Sequence, residues 1–228
     1  MPLTTNLTSN RNFKIRNFEE DKIATLNAHS GLRYSGKHQG CHRFCGNFYL
    51  TNYQNELIES FEIGILIGEN YPNTFPTVLL LDDKIRKSDD YHISKDGTIC
   101  LEHTYIANAL ASGGLRLYDF GNYYLPKYFS WALVKKYGNA GQLQEWAHRD
   151  NGTKQIYETL LGTTDENKIR LFLENYSKIP KIGRNDKCYC GSGSKLKKCH
   201  SDAALFLKST PKKDIIKDIG LFPNSFLI

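Results

Sequence analysis

The stretch YPNTFPTVLLLDDKIRKSDDYHISKDGTICL, residues 71–101, decides which fold the chain can adopt. Neither Pro72 nor Pro76 can donate to a sheet ladder, so the two prolines predict a turn between a strand that ends at Tyr71 and a strand that begins near Thr77. Cys100 follows between a glycine turn and an apolar residue, whereas each of the other five cysteines lies close to a second one. Taken alone, Cys100 is open to three interpretations: a buried small hydrophobe, half of a disulfide, or a nucleophile.

Three runs around this stretch predict strands: CHRFCGNFYLTNY (41–53), FEIGILIG (61–68) and TFPTVLLLDDKI (74–85). In the second run Phe61, Ile63, Ile65 and Ile67 occupy alternate positions, which is typical of a strand with a well-buried face. Because the three runs are neighbours in sequence, we expect them to form an antiparallel meander.

Helices are predicted on both sides of the strands. The segment NFEEDKIATLNAH, residues 17–29, predicts an N-terminal helix that is capped by Asn17 and turns Ile23 and Leu26 inward. Three later segments predict helices: LPKYFSWALVKKYG (125–138), TKQIYETLLG (153–162) and TTDENKIRLFLENYSK (163–178). The order of helix, strands and helices indicates an α+β fold.

Two of the later helices carry further markers. Pro126 lies near the predicted first turn of its helix, and Gly138 ends that helix. The last segment has a clear apolar face, formed by Ile169, Phe172, Leu173 and Tyr176. The run KIPKIGRND, residues 178–186, then breaks the helical pattern and indicates a linker.

Length and composition limit the class of protein. A chain of 228 residues suits one ordinary domain plus an appendage, or two small domains. Its longest apolar runs are too short to span a bilayer, and its N-terminus lacks the apolar core of a secretory signal, so we expect a cytoplasmic protein with no membrane partner. In a reducing compartment six cysteines favour metal binding or catalysis over disulfides.

The positive charge is concentrated at the C-terminus. Residues 181–228 contain 10 Lys and Arg against 4 Asp, a balance of +6, whereas the preceding 180 residues contain 20 basic and 20 acidic residues. The composition of residues 1–180 therefore gives no indication of nucleic-acid binding. Only the tail has the excess of basic residues that such binding requires.

The tail also contains the strongest motif of the sequence. In CYCGSGSKLKKCH, Cys188, Cys190, Cys199 and His200 form the pattern Cys-x-Cys-x8-Cys-His. Three thiolates and one imidazole are a preferred tetrahedral ligand set for zinc. Gly191 and Gly193 allow the sharp turn that the first two ligands require, and a segment this short depends on the metal for most of its folding energy. We therefore predict a structural zinc site.

The stretch GRNDKCYCGSGSKLKKCH, residues 183–200, resembles the SEC-C motif, named for the zinc element at the C-terminus of the SecA translocation ATPase. The resemblance implies a zinc-bound module that docks onto other proteins. Lys195, Lys197 and Lys198 either contact phosphates or an acidic partner, or form a solvated face, which is the role that we expect. We accordingly expect a catalytic domain at residues 1–178 and the zinc motif with its tail at 179–228.

The central region resembles the core signature of ubiquitin-conjugating enzymes. Tyr71-Pro72, Pro76 and Val78 match the family's Tyr-Pro-x-x-Pro-Pro-x-Val, and GTICL, residues 97–101, matches the segment that carries its acceptor cysteine. GNFYL, residues 46–50, fits the first hairpin of the family. The resemblance implies a ubiquitin-conjugating-like fold, with an antiparallel meander between N- and C-terminal helices, and implies that Cys100 accepts an acyl group as a thioester.

The sequence departs from that family at several positions. Phe75 replaces the first of two paired prolines, and His92-Ile93-Ser94 stands where the family has His-Pro-Asn. The asparagine of the family is missing, so Ser94 or backbone N–H groups near Gly97 are the remaining candidates to stabilise an oxyanion. Such divergence resembles bacterial relatives from antiphage operons, including the cyclic-oligonucleotide (CBASS-type) systems.

The catalytic candidates are Cys100, His92 and His103. A lone exposed thiol that can ionise suits acyl transfer, which needs no metal. His92 shapes the loop or binds the backbone, and His103 assists proton movement, although either histidine could be purely structural.

The resemblance implies a protein cargo with a free C-terminus, either a ubiquitin-like protein or a nucleotidyltransferase of the CD-NTase type, and an activating enzyme. Two alternatives stay open. One is an inactive binding module on the same fold. The other is a zinc protein whose basic tail binds nucleic acid or the ribosome, although nucleic acid is not the partner that we expect.

A second group of metal-ligating side chains lies in HQGCHRFC, residues 38–45, which contains His38, Cys41, His42 and Cys45. On a strand the two cysteines share a face but lie far apart along it. We therefore expect core packing there, not a metal site.

Overall fold

The computed structural model describes residues 18–138, 147, 149–179 and 182–223. These residues belong to two compact units, one that contains residues 18–138 and one that contains residues 147–223. None of the helices in the described segments combines the length and the apolar character that crossing a bilayer requires.

The first unit contains a five-stranded sheet. Its strands are β1 (Leu32–His38), β2 (Cys41–Thr51), β3 (Leu57–Ile67), β4 (Thr77–Leu80) and β5 (Thr98–Ile99). They pair in the order β1-β2-β3-β4-β5, and every pair is antiparallel. The predicted antiparallel meander is therefore confirmed. β1 and β5 are two further strands that were not predicted from the sequence.

The core lies on one face of this sheet. The side chains of Phe61, Ile63, Ile65 and Ile67 on β3 are all 0–1% exposed, as their alternation predicts. The ring of Phe61 stacks on the ring of Phe129, which belongs to the helix that covers the sheet, with 4.2 Å between the centroids. Burial of these large apolar side chains gives the unit a core of its own.

Three helices accompany the sheet: α1 (Phe18–Ala28), α2 (Thr104–Ser112) and α3 (Leu117–Lys136). In α1, Leu26 packs partly buried against the core, but Ile23 is 55% exposed, so the prediction that both face inward is wrong for Ile23. Asp21 and Thr25 are the buried residues of this helix. The predicted cap, Asn17, lies outside the described residues.

Asp21 is buried because it caps a different helix. Its carboxylate accepts hydrogen bonds from the backbone N–H of Leu117 at 2.5 Å and of Tyr118 at 3.4 Å, and from the hydroxyl of Tyr71. The guanidinium of Arg116 lies 3.5 Å from it. An anion at a helix N-terminus satisfies backbone donors that have no partner within the helix. Asp21 thereby ties α1 to the start of α3.

This cap explains why α3 begins at Leu117, upstream of the predicted start at Leu125. Pro126 lies inside the helix and not in its first turn, which corrects the sequence reading. A proline within a helix costs about 3 kcal/mol because it removes a backbone hydrogen bond and crowds the preceding turn. Burial of Phe120, Leu125 and Phe129 on the same helix offsets that cost.

The second unit is helical. It contains α4 (Arg149–Leu161), α5 (Glu166–Lys178), α6 (Ser201–Phe206) and α7 (Lys212–Asp218), with a turn of 3-10 helix at Leu196–Lys198. The two predicted helices α4 and α5 are confirmed. Ile169, Phe172 and Leu173 are fully buried and Tyr176 is half-buried, so α5 uses the predicted face. Its N-cap is Asp165, whose carboxylate accepts from the N–H of Asn167.

By their contacts, α4 and α5 belong with the cysteine-rich segment and not with the sheet. The division lies upstream of the boundary that we expected near residue 178. Whether residues 1–178 and 179–228 act as separate functional domains stays a prediction.

Candidate functional site

Cys100 lies at the end of a tight hairpin that spans residues 92–100. Ile93 pairs with Ile99, and the N–H of Cys100 donates to the carbonyl of His92 at 2.8 Å. Gly97 turns this hairpin with a φ of +90°, and a Cβ on it would lie 2.6 Å from the carbonyl oxygen of Leu80. Only glycine fits this close approach. The hairpin and the sheet therefore fix the backbone of Cys100.

The thiol of Cys100 is accessible but partly desolvated. The residue is exposed, and its Sγ donates to the backbone carbonyl of Glu102 at 3.5 Å. This desolvation and, to a smaller extent, the carboxylate of Glu102 raise the pKa of the thiol. Cys100 is consequently a thiol at neutral pH and needs a reaction partner or a base to ionise.

Glu102 carries a negative charge that acts on this thiol. Its side chain is only 10% exposed, and its carboxylate pairs with the ammonium of Lys127 on α3 at 2.8 Å. The same carboxylate contributes to the raised pKa of Tyr124, which is caused first by burial. The sequence reading did not single out Glu102, although its position two residues after Cys100 is a signal that could have found it.

The two candidate histidines occupy defined structural positions. His92 adopts a left-handed backbone with a φ of 54°, and its ring lies 5.4 Å from that of Trp131. His103 caps α2: its Nδ1 accepts from the N–H of Tyr105 at 3.2 Å. The loop-shaping role of His92 fits its backbone bond to Cys100. Proton movement through His103 stays a prediction.

The candidate oxyanion donors take part in the hairpin itself. The hydroxyl of Ser94 donates to the carboxylate of Asp96 and lies 3.1 Å from the carbonyl of Thr98. The N–H of Gly97 donates to the carbonyl of Ser94 at 2.9 Å. These groups stabilise the turn, and either one would have to exchange a hydrogen bond before it could bind an oxyanion.

The second site is the Cys/His cluster of residues 188–200. One ligand atom from each of Cys188, Cys190, Cys199 and His200 lies within 4.8 Å of the others. The Sγ atoms of Cys190 and Cys199 are 3.5 Å apart, and His200 Nδ1 lies 3.1 Å from Cys199 Sγ and 3.4 Å from Cys188 Sγ. Ligands of a tetrahedral zinc ion with Zn–S bonds near 2.3 Å lie about 3.8 Å apart. The cluster therefore has the dimensions of a zinc site.

The orientation of His200 fits the same ion. Its Nε2 lies 3.2 Å from the carbonyl oxygen of Leu161 and can donate to it, which leaves the lone pair of Nδ1 directed at the three sulfurs. An outer hydrogen bond of this kind fixes the tautomer and the ring plane of a metal-ligating histidine. No sequence pattern points to Leu161, because this residue precedes the cluster by a long interval and contributes only a backbone oxygen.

The thiols of the cluster differ electrostatically. Burial raises the pKa of Cys188 to about 12. Burial alone would also raise the pKa of Cys190, but hydrogen bonds with Ser192 and with the neighbouring thiols outweigh it and lower that pKa to about 6. A bound zinc ion would hold all three cysteines as thiolates.

The cluster is integrated into the helical unit. The ring of His200 packs edge-on against Phe172 of α5 with 5.4 Å between centroids, and Asn175 donates to the carbonyl of Tyr189 at 2.7 Å. Gly191 and Gly193 have φ values of +76° and +77°, as the predicted turn requires. The ligand loop and α5 therefore support each other.

Among the described residues, Cys41 and Cys45 belong to no group of three or more ligating side chains, and neither is part of the core. Both are half-buried, and Cys45 Sγ lies 2.9 Å from Ser35 Oγ. Within the described segments, the cluster at 188–200 is the only close group of three or more ligating side chains. The expected core packing is wrong, because β2 turns Phe44 and Phe48 inward and these two cysteines to the opposite face.

Comparison with known proteins gives one firm result. A family model of the SEC-C motif matches residues 184–202. The protein translocase subunit SecA of Borreliella burgdorferi is 43% identical over 53 residues, which are 23% of this chain and 6% of that protein. SecA of Solidesulfovibrio magneticus is 39% identical over 59 residues, which are 26% and 7% of the two chains. The chain thus spans 6–7% of the length of these relatives, and no solved structure matches it significantly.

Proposed function

We propose that this chain is a ubiquitin-conjugating-like acyl transferase with Cys100 as its acceptor and a zinc-bound SEC-C element for docking. The observation that supports it best is an exposed thiol held at the end of a tight hairpin, at the edge of an antiparallel meander. The order α1, meander, Cys100 hairpin, α2 and α3 agrees with the ubiquitin-conjugating-like fold that the resemblance implies.

The reaction has two balanced steps. An activated C-terminus of the cargo reacts with the Cys100 sulfur: a C–S bond forms, the thiol proton goes to solvent or a base, and the activating group leaves. An amine then attacks the thioester carbonyl, so that a C–N bond forms, the C–S bond breaks and the sulfur leaves as a thiolate. The raised pKa of Cys100 limits wasteful reactions of the free enzyme and makes deprotonation part of the first step.

Zinc has a structural part in this proposal. Cys188, Cys190 and Cys199 would hold the ion as thiolates and His200 would hold it through Nδ1, and the bound metal would supply folding energy. Because the SEC-C resemblance implies a docking module, we propose that the element docks the enzyme onto another protein.

The cargo would be a ubiquitin-like protein or a CD-NTase-type nucleotidyltransferase, delivered by an activating enzyme. We propose a cytoplasmic role in bacterial antiphage defence, which rests on the resemblance to CBASS-type relatives. His92 would hold the hairpin, and His103 would move a proton.

Replacement of Cys100 by lysine tests the function, because an amide at this position cannot be discharged. We expect Cys100→Lys, co-expressed with the products of neighbouring genes, to accumulate an adduct whose mass equals that of the chain plus the cargo less one water molecule. Cys45→Ser, which alters a half-buried thiol on the sheet, is the matched control and should behave as the native chain. Complete absence of an adduct at residue 100 with the full operon present would contradict the proposal.

A second candidate function has one observation in its favour. Arg184, Lys187, Lys195, Lys197 and Lys198 are exposed around the zinc motif. None of them makes an ion pair with another described residue, and Lys187 and Lys195 face each other across a β-bridge, where like charges repel. A nucleic-acid-binding role would predict affinity that falls steeply with salt.

A further inference from the structure

The Cys100 hairpin is attached to α3 by a buried hydroxyl. The phenol of Tyr128, a residue that is 7% exposed, donates to the backbone carbonyl of Tyr91 at 2.7 Å, across 37 positions of the chain. This distance is typical of a well-formed O–H···O hydrogen bond. Because Tyr91 directly precedes the hairpin, the bond joins the helix to the point where the hairpin begins.

A short backbone path leads from this bond to the reactive residue. The carbonyl of Tyr91 belongs to the peptide group that it shares with His92, and the carbonyl of His92 accepts from the N–H of Cys100 at 2.8 Å. His92 has a left-handed φ of 54°, which residues with a side chain rarely adopt. Such a backbone persists where its surroundings hold it. The contacts of Tyr91 and His92 therefore bear on the position of Cys100.

The next turn of α3 supplies a second contact. The ring of Trp131 lies 5.4 Å from the ring of His92 and 6.3 Å from the ring of Tyr91. Between Tyr128 and Trp131 on the helix, the side chain of Phe129 is fully buried in the sheet core. A helix that is anchored on the core thus presents two side chains to the start of the hairpin. A rigid element positions a site more precisely than a loop does.

We infer that Tyr128 is a positioning residue for Cys100: its hydroxyl holds the peptide group between Tyr91 and His92, and that peptide group sets where the thiol lies. The inference rests on the proposed function and deepens it, because it names a residue of another element that acts on the acceptor cysteine through the backbone.

The phenol remains a hydrogen-bond donor throughout the neutral pH range. Burial and, to a smaller extent, the negative charges of ionised Cys100 and Tyr91 raise the pKa of Tyr128. The hydroxyl is therefore protonated both while Cys100 is a thiol and while it is a thiolate, and it keeps its bond to the Tyr91 carbonyl. Tyr128 transfers no proton in this proposal. Its effect on the rate comes from the place that it gives to the sulfur.

Removal of one oxygen atom tests the inference. In the full-length, zinc-loaded chain, Tyr128→Phe keeps the ring and deletes the donor. Tyr124→Phe makes the same change one turn earlier on α3, at a side chain that is 8% exposed, and is the matched control. The first measurement is the rate of Cys100 alkylation by iodoacetamide as a function of pH, with peptide mass mapping to assign the labelled residue.

The expected shift follows from the burial of the thiol. Desolvation raises the pKa of Cys100, so release of the hairpin should hydrate the sulfur and lower that pKa. We expect Tyr128→Phe to move the alkylation profile to lower pH by about half a pH unit or more, and Tyr124→Phe to leave it in place.

Two further measurements separate positioning from a general loss of stability. Exchange of the Cys100 amide hydrogen should become at least about tenfold faster in Tyr128→Phe, while exchange in β3 stays as in the native chain. In the Cys100→Lys background, co-expressed with the products of neighbouring genes, Tyr128→Phe should reduce the adduct at residue 100 at least about fivefold, because a misplaced nucleophile attacks less often.

A second variant supports the same test. Trp131→Phe reduces the contact with His92 and keeps the Tyr128 hydroxyl, so it should shift the alkylation profile in the same direction by a smaller amount. Circular dichroism shows whether each variant is folded. Should Tyr128→Phe not fold, Trp131→Phe decides the question, and an unshifted profile would overturn the inference.

The outcomes separate the two proposals. If Cys100→Lys forms its adduct but Tyr128→Phe changes the profile, the exchange and the yield no more than Tyr124→Phe does, the positioning role is wrong and the transferase proposal stands. If the profile and the exchange shift while Cys100→Lys forms no adduct, Tyr128 places the thiol and the transferase proposal is overturned.

Discussion

The thiol on the sheet and the thiols of the C-terminal cluster illustrate two uses of cysteine. Cys100 is single, exposed and fixed by backbone hydrogen bonds of a unit that has a large apolar core. Cys188, Cys190 and Cys199 converge with His200, and the chain around them packs on that cluster. The difference teaches that the position of a thiol can be set by the backbone around it, as at Cys100, or by convergence with other ligating side chains, as in the cluster.

Disruption of the zinc cluster should give the largest effect. We expect Cys199→Ser to abolish zinc binding and to unfold the helical unit, because a structural zinc ion contributes about 10 kcal/mol or more. Amide hydrogen exchange and zinc content report the result: protection should vanish in residues 149–223 and persist in residues 18–138.

Cys45→Ser is the control for this change, since Cys45 is a thiol outside the cluster. Full protection of α4 and α5 in a zinc-free Cys199→Ser protein would show that the helical unit folds without its metal.

A cavity in the sheet core should give the next largest effect. Phe129 is fully buried and stacks on Phe61 and Phe48, so Phe129→Ala should lower the free energy of unfolding of the sheet unit by about 3–5 kcal/mol. Urea unfolding measures this loss, and the zinc content should not change. Tyr137→Ala, at a side chain that is 70% exposed, should cost less than about 0.5 kcal/mol. Equal losses for the two variants would contradict the assigned core.

Removal of the Asp21 carboxylate, which caps α3 from another helix, should have an intermediate effect on stability. Asp21→Ala leaves the hydroxyl of Tyr71 without its acceptor and leaves the N–H of Leu117 with only the Tyr71 oxygen, 3.1 Å away, which should cost about 2–3 kcal/mol. Thermal or urea unfolding measures it. Asn27→Ala changes an exposed position on the same helix and should be nearly neutral. A neutral Asp21→Ala would mean that α3 starts at Leu117 for another reason.

The smallest effect concerns the ionisation of Cys100. Desolvation and the Glu102 carboxylate raise the pKa of the thiol, so its alkylation by iodoacetamide should require a higher pH than that of an ordinary cysteine. Thiolate is present above the pKa and is lost as the pH falls through it. Glu102→Gln should therefore shift the rate profile to lower pH, and Glu59→Gln, which removes a carboxylate from an ion pair with Lys84, should not. A profile unaffected by Glu102→Gln would exclude electrostatic contact between the two groups.

Local patterns predicted the local parts of the structure. The alternation of Phe61, Ile63, Ile65 and Ile67 predicted β3, and the ligand spacing of residues 188–200 predicted the cluster, since each depends on neighbours in sequence. The start of α3 was not predictable, because Asp21 caps it from a separate helix, 96 residues away from Leu117. The strand β1, LRYSGKH, has too few apolar residues to show a strand period.

The candidate site likewise has a part that the sequence predicts and a part that it does not. Cys100 was identified from the residues beside it, whereas the partners that adjust its chemistry come from further away. Lys127 reaches Glu102 only because α3 passes the hairpin, and Leu161 reaches His200 only because α4 ends beside the cluster. Tertiary packing creates both contacts, and a single sequence does not encode them as a motif.

The hydrogen bond between His200 and Leu161 limits how this motif can be transplanted. A graft of residues 184–202 into an unrelated host would carry all four ligands but not the carbonyl that orients the imidazole or the ring of Phe172 beside it. Such a chimera should capture zinc more weakly and exchange it faster than a transplant that starts at residue 149. The smallest portable version of this element therefore includes two helices that precede the matched motif.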